Sequence, residues 1–388
     1  MDQDRGLFVA LACALLGFGI LMVHSASITS WPTELERIYL ARHATFLLIG
    51  ISAAGASACL PVRFWFRVSP WLFGITVVLL VLVLVPGLGT RVNGAQRWFR
   101  YAGLSLQPSE LAKIALPLFL ARQLCLRRGE LRRWIAGTVP IVAPLAAVVP
   151  LVLLQPDLGT SLFLAAGGAI ALFVGGWPLR NFVFAALLFL PAVGSVVALR
   201  PYQVERITGY LATWSDWSAA PYQLQQSLIS LGAGGISGVG LGKGWQKLSF
   251  LPEANTDFVF AVVGEELGLV GTLSLVALWA GLYTAGVRLL SGLRHDSFEA
   301  IAGFTLLTQL TLQAVLNMSV VTALVPPKGI PHPLVSYGGS NLIVSIVSLG
   351  IILSLARGQR AASAAPIIRQ PPRPPHRAVL TAETDVTL

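Results

Sequence analysis

The sequence predicts an all-α polytopic membrane protein, and three observations support this fold class. Hydrophobic residues make up 55% of the chain and charged residues only 11%, and the mean hydropathy is +0.74. Soluble domains carry about 25% charged residues, so most of this chain is suited to lipid. The apolar residues also occur in long runs, and a helix of about 20 residues crosses a hydrocarbon core of about 30 Å.

Ten apolar runs predict a bundle of ten transmembrane helices. The first run is too long, and too weakly basic at its start, for a cleaved signal peptide, so we expect it to be a retained helix. The runs lie near residues 6–27, 43–61, 69–88, 109–124, 135–154, 159–176, 181–199, 258–287, 299–325 and 339–357.

The basic residues predict the orientation of the bundle. Cytoplasmic loops are enriched in Lys and Arg, and a dense basic cluster lies in the short loop at 122–133. An even number of crossings then places both termini in the cytoplasm. The outer face nevertheless keeps several cations, which predicts an anionic ligand there. They are Arg91, Arg97, Arg100, Arg206, Lys243, Lys247 and Lys328.

The chain divides into a membrane domain at 1–357 and a tail at 358–388. The tail is rich in proline and arginine, which predicts a disordered cytoplasmic segment able to attract anionic lipid. In the membrane domain, the outer loop between helices 7 and 8 covers about 200–256 and is too long for a simple connector. Its glycines around Lys243 fail the spacing of a P-loop. A backbone nest for pyrophosphate oxygens and plain flexibility are the two interpretations left.

Ionisable residues inside apolar runs are costly and are therefore candidates for function. Glu110 and Lys113 open the fourth run, and Glu265 and Glu266 interrupt the eighth. The alternative for all four is a buried ion pair or hydrogen bonding between helices. Asp157 precedes the sixth run, where the alternative is a helix N-cap.

Asp257 stands at the start of the eighth run. One interpretation is a side chain that caps the helix and complements its dipole; the other is a general base acting at the membrane surface. Small residues share the Asp257 face of this predicted helix, and they would let another helix or a lipid chain approach closely. Asp257 is then expected at the mouth of a groove. The small residues are Ala261, Gly264, Gly268 and Gly271.

Five motifs occur in order along nearly the whole chain. They are Arg97-Trp98, QPSELAK at 107–113, QPDLGT at 155–160, Leu251-Pro252-Glu253 with Thr256-Asp257-Phe258, and SYGGS at 336–340. Together they resemble the shape, elongation, division and sporulation family, which includes FtsW and RodA. Three positions depart from the family pattern: Gln96, Asn255 and Asn341.

The resemblance implies a peptidoglycan glycosyltransferase that polymerises lipid II at the outer face of the bacterial cytoplasmic membrane. It implies that Asp257 is the catalytic carboxylate. Lys328 is the FtsW-like choice, which implies septal synthesis during division rather than elongation. The motifs and the outer cations together give the expected substrate-binding residues: Arg97, Trp98, Glu110, Lys113, Asp157, Arg206, Lys243, Glu253, Thr256, Lys328, Ser336 and Tyr337.

The residue types suit this chemistry independently. A general base assists the attack of an acceptor hydroxyl on the anomeric carbon of the donor sugar, and cations stabilise the departing lipid diphosphate. By analogy with other glycosyl transfers, inversion needs one base and no covalent intermediate. No organic cofactor is expected. A divalent cation, Mg or Mn, could share the diphosphate charge, but the five histidines show no ligand spacing, so no metal site is assigned.

The resemblance also implies partners: lipid II and the growing lipid-linked glycan, a class B penicillin-binding protein that crosslinks the glycan, other division or elongation proteins, and membrane lipid, but no nucleic acid. Two rival functions stay open. A lipid II flippase would suit ten helices with buried acids, although transporters place their sites near the bilayer midplane. A non-catalytic division scaffold would leave Asp257 as a cap.

Overall fold

A computed structural model gives the fold of the chain. Among the residues it describes there are twelve α-helices and three short β-strands. The described residues are 2–27, 34–92, 94–101, 104–131, 133–216, 218, 220–248 and 250–357, so the tail predicted at 358–388 lies outside them. In chain order the elements are α1 (Asp2–Ser27), α2 (Glu34–Cys59), α3 (Val62–Leu82), β1 (Thr90–Val92), β2 (Ala95–Tyr101), β3 (Leu104–Leu106), α4 (Pro108–Leu126), α5 (Val139–Leu154), α6 (Leu158–Val174), α7 (Leu179–Ala198), α8 (Pro201–Ala212), α9 (Tyr222–Gly234), α10 (Val259–Leu290), α11 (Phe298–Val321) and α12 (Gly339–Ala356).

The helices agree with a multi-pass membrane protein. Each predicted run overlaps one helix, while α8 and α9 lie in the long outer loop. Among the described residues, seven helices are long and apolar enough to cross a membrane: α1, α3, α5 with the turn before it, α7, α10, α11 and α12. The helix α6 has only 17 residues, and α2 and α4 carry charged side chains. The helical membrane class is confirmed, and the count of ten crossings stays a prediction.

The core of the bundle lies around α10, α11 and α12, which are largely buried. The helix α1 packs along α10, and α2 packs along α12. Gly350 of α12 permits the second contact, because a Cβ there would lie 2.3 Å from the Ala54 carbonyl oxygen of α2. By contrast, Asn181 is the only residue that α7 buries. The helix α7 therefore lies at the periphery of the bundle.

The outer loop before α4 folds as a small antiparallel sheet, which the all-α prediction did not include. Strand β1 pairs with β2, and β2 pairs with β3. Ser340, in the first turn of α12, holds this sheet to the bundle. Its hydroxyl donates to the Ser105 carbonyl at 2.7 Å and accepts from the Gln107 N–H at 3.2 Å.

The helix α10 is interrupted at Gly268, whose φ of 64° and ψ of −158° are not helical. Glycine adopts such a positive φ without a Cβ clash. The outer loop packs against the half of α10 before this break: a Cβ at Gly234 would lie 1.8 Å from the Gly264 carbonyl oxygen, and one at Gly238 would lie 2.1 Å from the Glu266 carbonyl oxygen. Gly264 and Gly268 of the predicted groove are thus packed against α9 and the segment after it, so another helix, one of the two expected occupants, approaches here.

Candidate active site

Asp257 lies in the turn that leads into α10. Within the described residues, α10 begins at the N-cap Phe258 without a side-chain capping hydrogen bond. Asn317 of α11 holds the turn, since its amide donates to the Asp257 carbonyl at 2.7 Å and to the Ile330 carbonyl at 2.9 Å. The Asp257 carboxylate faces Gly329, where an added Cβ would lie 3.0 Å from Oδ2. Helix capping therefore does not account for this side chain.

The surroundings of Asp257 favour its protonated form. Burial raises the pKa of its carboxyl to about 7, the negative charge of Glu253 adds to the increase, Arg206 opposes it, and Asp157 raises it slightly further. The residue nevertheless keeps partial solvent access. A carboxylate whose pKa is close to the working pH is well matched to accept a proton.

Arg97 and Asp157 form a second polar group. Asp157 Oδ1 accepts the Thr160 N–H at 3.0 Å, which confirms that Asp157 caps α6. Arg97 Nη1 lies 3.4 Å from Asp157 Oδ2, and its guanidinium donates to the carbonyls of Gln155 at 2.8 Å and Pro156 at 2.5 Å. Much of the hydrogen-bonding capacity of Arg97 is thus used to hold the turn before α6.

Lys328 lies beside the turn before α6, in the segment that joins α11 to α12. A Cβ at Gly159 would lie 3.7 Å from Asp157 Oδ1 and 3.7 Å from the Lys328 Cβ. Burial lowers the pKa of the Lys328 ammonium, and Lys328 belongs to none of the ion pairs among the described residues. The next residue, Gly329, lies against the Asp257 carboxylate, so the backbone of this short segment borders the candidate base.

Glu110 and Lys113 line a small cavity that shares Gly329 with the Asp257 site. Its volume of about 30 Å³ gives room for about two water molecules. Lys113 Nζ lies 2.7 Å from Glu110 Oε1 and 3.1 Å from Gln313 Oε1, which confirms a buried ion pair. Within the described residues, Glu110 Oε2 has no hydrogen-bond partner. The cavity is lined by Gln107, Glu110, Lys113, Thr160, Phe163, Gly329, Ile330 and Pro331.

The turn in front of α10 is held by the segment that precedes α12. Ser336 Oγ donates to the Thr256 carbonyl at 2.5 Å, and the Tyr337 N–H donates to the Asn255 carbonyl at 2.8 Å. Within the turn, Thr256 Oγ1 donates to Glu253 Oε2 at 2.8 Å. These contacts gather four of the predicted binding residues around the turn that carries the carboxylate.

Three further predicted binding residues have other surroundings. Arg206 lies on α8 with its guanidinium 5.6 Å from the centre of the Tyr202 ring. Trp98 is half-buried on β2, opposite Thr90 of β1. Lys243 is exposed, and no ion pair among the described residues joins it to the rest of the site. Of these three, Arg206 alone is connected to Asp257, through its effect on the pKa.

The glycine segment around Lys243 does form a backbone nest, but the nest binds carboxylates of the protein itself. The Gly242 N–H donates to Glu266 Oε2 at 3.1 Å, and the Trp245 N–H donates to Glu265 Oε1 at 2.6 Å. These amides are not available to a pyrophosphate group. The pyrophosphate-nest interpretation is therefore wrong for these two amides, whereas plain flexibility of the glycines stays a prediction.

Sequence reasoning missed the polar face of α11. Gln313 accepts from Lys113 and donates to the Asn341 side chain at 2.9 Å and to the Pro331 carbonyl at 2.8 Å. Asn317 holds the Asp257 turn, as described above. Gln313 and Asn317 are four residues apart in an apolar run, which places them on one helix face. This spacing could have indicated the polar face.

The described part of the chain offers no preformed metal centre, since no three His, Cys, Asp or Glu side chains gather there as a ligand group. The charges of Glu253 and Asp157 raise the pKa of Asp257, but the three carboxylates do not form such a group. The structure therefore assigns no protein ligands to the predicted divalent cation.

The sequence matches a known protein family over nearly its full length. A family model described as cell cycle protein, covering FtsW, RodA and SpoVE, matches residues 5–361. The protein of Geobacter sp. (strain M18) named probable peptidoglycan glycosyltransferase FtsW is 36% identical over 359 residues, which cover 92% of this chain and 98% of that protein. The protein of the same name from Hahella chejuensis is 39% identical over 355 residues, covering 89% of this chain and 88% of that protein.

Solved structures share the fold. A chain from work on the structural coordination of polymerization and crosslinking by a peptidoglycan synthase complex matches with a TM-score of 0.74 at 30% identity, covering 91% of this chain and 97% of that one. The rod shape determining protein RodA of Thermus thermophilus matches with a TM-score of 0.66 at 29% identity, covering 91% of this chain and 96% of that one.

Proposed function

This chain belongs to the FtsW, RodA and SpoVE family of cell cycle proteins, and from that premise we propose that it is an FtsW-type peptidoglycan glycosyltransferase that polymerises lipid II. The observation that carries the proposal is the state of Asp257. Its carboxyl has a pKa raised to about 7, keeps partial solvent access and lies next to the segment that holds Lys328. A base and a cation are the two groups that the transfer of a sugar from a diphosphate requires.

We propose that ten helices cross the bacterial cytoplasmic membrane, with both termini in the cytoplasm and Asp257 at the outer surface. The polarity of α4 is compatible with a crossing because its Glu110 and Lys113 are buried and paired inside the bundle, as intramembrane charges usually are. The 17 residues of α6 extend over about 26 Å at 1.5 Å per residue, which is close to the hydrocarbon thickness.

In the proposed reaction, Asp257 acts as general base. It takes the proton of the acceptor hydroxyl while that oxygen forms a bond to the anomeric carbon of the donor. The bond between this carbon and the diphosphate oxygen breaks, and its electron pair leaves with the polyprenyl diphosphate. A single base and a direct displacement give inversion at the anomeric carbon.

The proposed stabilisation of the leaving group comes from the cations of the site. Lys328 belongs to no ion pair among the described residues, so its charge is free to meet a diphosphate. Arg206 supplies a second positive charge near Asp257. Arg97 instead supports the α6 turn and orients Asp157. A divalent cation, if the reaction uses one, is proposed to be held chiefly by the diphosphate itself.

The remaining predicted binding residues are proposed to shape the entrance of the site. Glu253, Thr256, Ser336 and Tyr337 surround the turn, while Trp98 belongs to the sheet and Lys243 to the outer loop. The cavity beside Glu110 and Lys113 is large enough only for water. The sugars are therefore proposed to bind at the solvent-accessible side of Asp257, with Lys113 acting at longer range.

We propose a class B penicillin-binding protein as the partner and the division septum as the place of action. The similar chain from a peptidoglycan synthase complex that coordinates polymerization and crosslinking supports such a partner. The similarity to proteins named FtsW supports the division role. Lipid II, the growing glycan and the surrounding lipids complete the set of proposed partners.

The test is a lipid II polymerisation assay on the purified protein, with and without its transpeptidase partner. The variant Asp257→Asn keeps the size and hydrogen-bonding ability of the side chain but removes the base. We expect the variant to fold and to make no glycan. Full polymerisation by this variant would exclude Asp257 as base, and lipid II scrambling by a wild-type protein that makes no glycan would favour a flippase.

A further inference from the structure

The interruption of α10 at Gly268 receives a second stretch of backbone. The glycine segment after α9 inserts there and pairs with both sides of the break. Val239 N–H donates to the Glu265 carbonyl at 3.0 Å, and Gly240 N–H donates to the Glu266 carbonyl at 3.0 Å. On the other side, the Leu269 N–H donates to the Gly235 carbonyl at 2.9 Å. The groups freed by the break are thereby satisfied by the outer loop.

The side chains of the two glutamates hold the next part of the same segment. Glu265 Oε1 accepts the N–H groups of Trp245 at 2.6 Å and Gln246 at 3.1 Å. Glu266 Oε2 accepts the Gly242 N–H at 3.1 Å and also the Ser25 hydroxyl of α1. Carboxylates that accept backbone N–H bonds form strong, charge-assisted contacts.

Lys247 completes this arrangement. Its ammonium lies 2.6 Å from Glu266 Oε1 and donates to the Ser25 carbonyl at 2.8 Å. Both charged side chains are fully buried. Gly244 leaves room for both carboxylates, since a Cβ here would lie 3.0 Å from Glu265 Oε2 and 3.1 Å from Glu266 Oε1 and would force them to shift by a few tenths of an ångström. We call the group of Lys247, Glu265 and Glu266 the loop clamp.

The loop clamp is connected to the candidate base by a short and well-held path. Gln246 lies in a 3-10 turn, and its carbonyl accepts the N–H groups of Phe250 at 3.1 Å and Leu251 at 2.8 Å. Leu251 is buried, and the turn that carries Asp257 begins directly after it. A displacement of the clamped segment would therefore pull on the turn from its N-terminal side.

We propose that the loop clamp is a positioning device for the glycosyl transfer: Lys247 and Glu266 fix the outer loop against the broken α10 and thereby hold the carboxylate of Asp257 in its reactive place. The inference rests on the proposed function. It gives Lys247 a role different from that of the other outer cations, because this ammonium is sequestered and does not meet the substrate.

The experiment compares Lys247→Met with the double variant Lys247→Met/Glu266→Gln and the control Arg288→Met. Arg288 is exposed at the far end of α10. Each protein is assayed for kcat and KM with lipid II. In parallel, Ala254→Cys is introduced after replacement of the free cysteines Cys13, Cys59 and Cys125 by alanine. Ala254 is buried in the Asp257 turn, so labelling by an impermeant maleimide measures the opening of that turn.

For Lys247→Met we expect faster labelling and a kcat lowered about 10- to 100-fold, the effect of misplacing a catalytic group by about 1 Å. KM should stay unchanged, since Lys113 and Lys328 are not held by the clamp. The double variant removes both charges of the buried Lys247–Glu266 pair and should recover part of kcat while folding normally. The control Arg288→Met should match the wild type in kcat, KM and labelling rate.

A folded Lys247→Met protein with wild-type kcat would overturn the proposal, whatever its labelling rate. A lowered kcat with unchanged labelling would also overturn it, because the loss would then not pass through the turn. If the wild type itself makes no glycan, the proposed function fails. The labelling rate then still decides whether the clamp holds the turn.

Discussion

Asp257 and Glu266 are both acidic residues of the outer part of α10 and its leading turn, yet their surroundings are opposite. Glu266 is fully buried and accepts bonds from Lys247, Gly242 and Ser25. The Asp257 side chain accepts no hydrogen bond from the described residues and keeps partial access to solvent. A carboxylate whose charge is fully compensated maintains structure, whereas one left uncompensated is ready for chemistry.

The largest effect should follow from Asp257→Asn. Loss of a general base typically costs about 10²- to 10⁴-fold in rate, and we expect a decrease of this size in lipid II polymerisation. The pKa of about 7 in the folded protein lies above the ordinary aspartate value of 3.8, so ionisation of Asp257 opposes folding increasingly from about pH 4 to 7 and fully above that range.

The asparagine variant should therefore be as stable as the wild type at pH 8, or more stable. The thermal unfolding temperature in detergent checks this expectation. A clearly lower unfolding temperature of Asp257→Asn at pH 8 would mean that Asp257 stabilises the structure, as Glu266 does. The contrast between the two acids would then disappear.

Removal of one partner from the loop clamp should, unlike Asp257→Asn, lower the stability of the fold. Lys247→Met leaves Glu266 buried without its cation, and the loss of one member of a buried pair costs about 3–5 kcal/mol. Thermal unfolding of Lys247→Met, of the double variant with Glu266→Gln, and of the control Arg288→Met measures this cost. The double variant should regain most of the lost stability. If both variants are equally unstable, the ion pair is not the source of the stability.

A smaller effect is expected where the chain backbone approaches Asp257. Gly329→Ala places a methyl group about 3.0 Å from Oδ2, so the carboxylate must move by a few tenths of an ångström. We expect kcat to fall about tenfold, while stability changes little. Gly194→Ala, in an open position on α7, is the matched control and should leave kcat unchanged. Equal kcat values for both variants would show that a displacement of the Asp257 carboxylate by a few tenths of an ångström does not affect catalysis.

The smallest effect concerns the pH dependence. The reaction requires ionised Asp257, so kcat/KM should rise with pH through about 7 and be lost as pH falls below that value. Glu253 raises the pKa of Asp257. Glu253→Gln should therefore move the pH at which kcat/KM rises to a lower value, by less than about one unit because the charge is exposed. Glu205→Gln, exposed on α8, is the control. If kcat/KM of Glu253→Gln rose only at a higher pH than that of the wild type, the pH dependence could not be assigned to Asp257.

The sequence was a good guide to what depends on composition and local pattern. Apolar runs predicted the helices, the spacing of Glu110 and Lys113 allowed their ion pair, and Asp157 was a recognisable cap. The sheet at β1–β3 was missed because its strands are short and lie between glycines. Its contact with Ser340 joins segments far apart in the chain.

The loop clamp could not be predicted for a related reason. Lys247 looked like an outer cation, and the glycines looked like a nest for a ligand. The nest is real, but Glu265 and Glu266 occupy it, and this pairing forms next to the break of α10 at Gly268. A single glycine in a helical run carries no signal that distinguishes close packing from a break.

The break at Gly268 also changes how α10 meets the bilayer. Residues 269–290, which are 22 residues (290 − 268), extend over about 33 Å at 1.5 Å per residue. This stretch alone matches a hydrocarbon layer of about 30 Å. The preceding piece, with both glutamates, can then stand among the lipid headgroups. If residues 269–290 are the part of α10 that crosses the membrane, neither glutamate has to lie within the hydrocarbon layer.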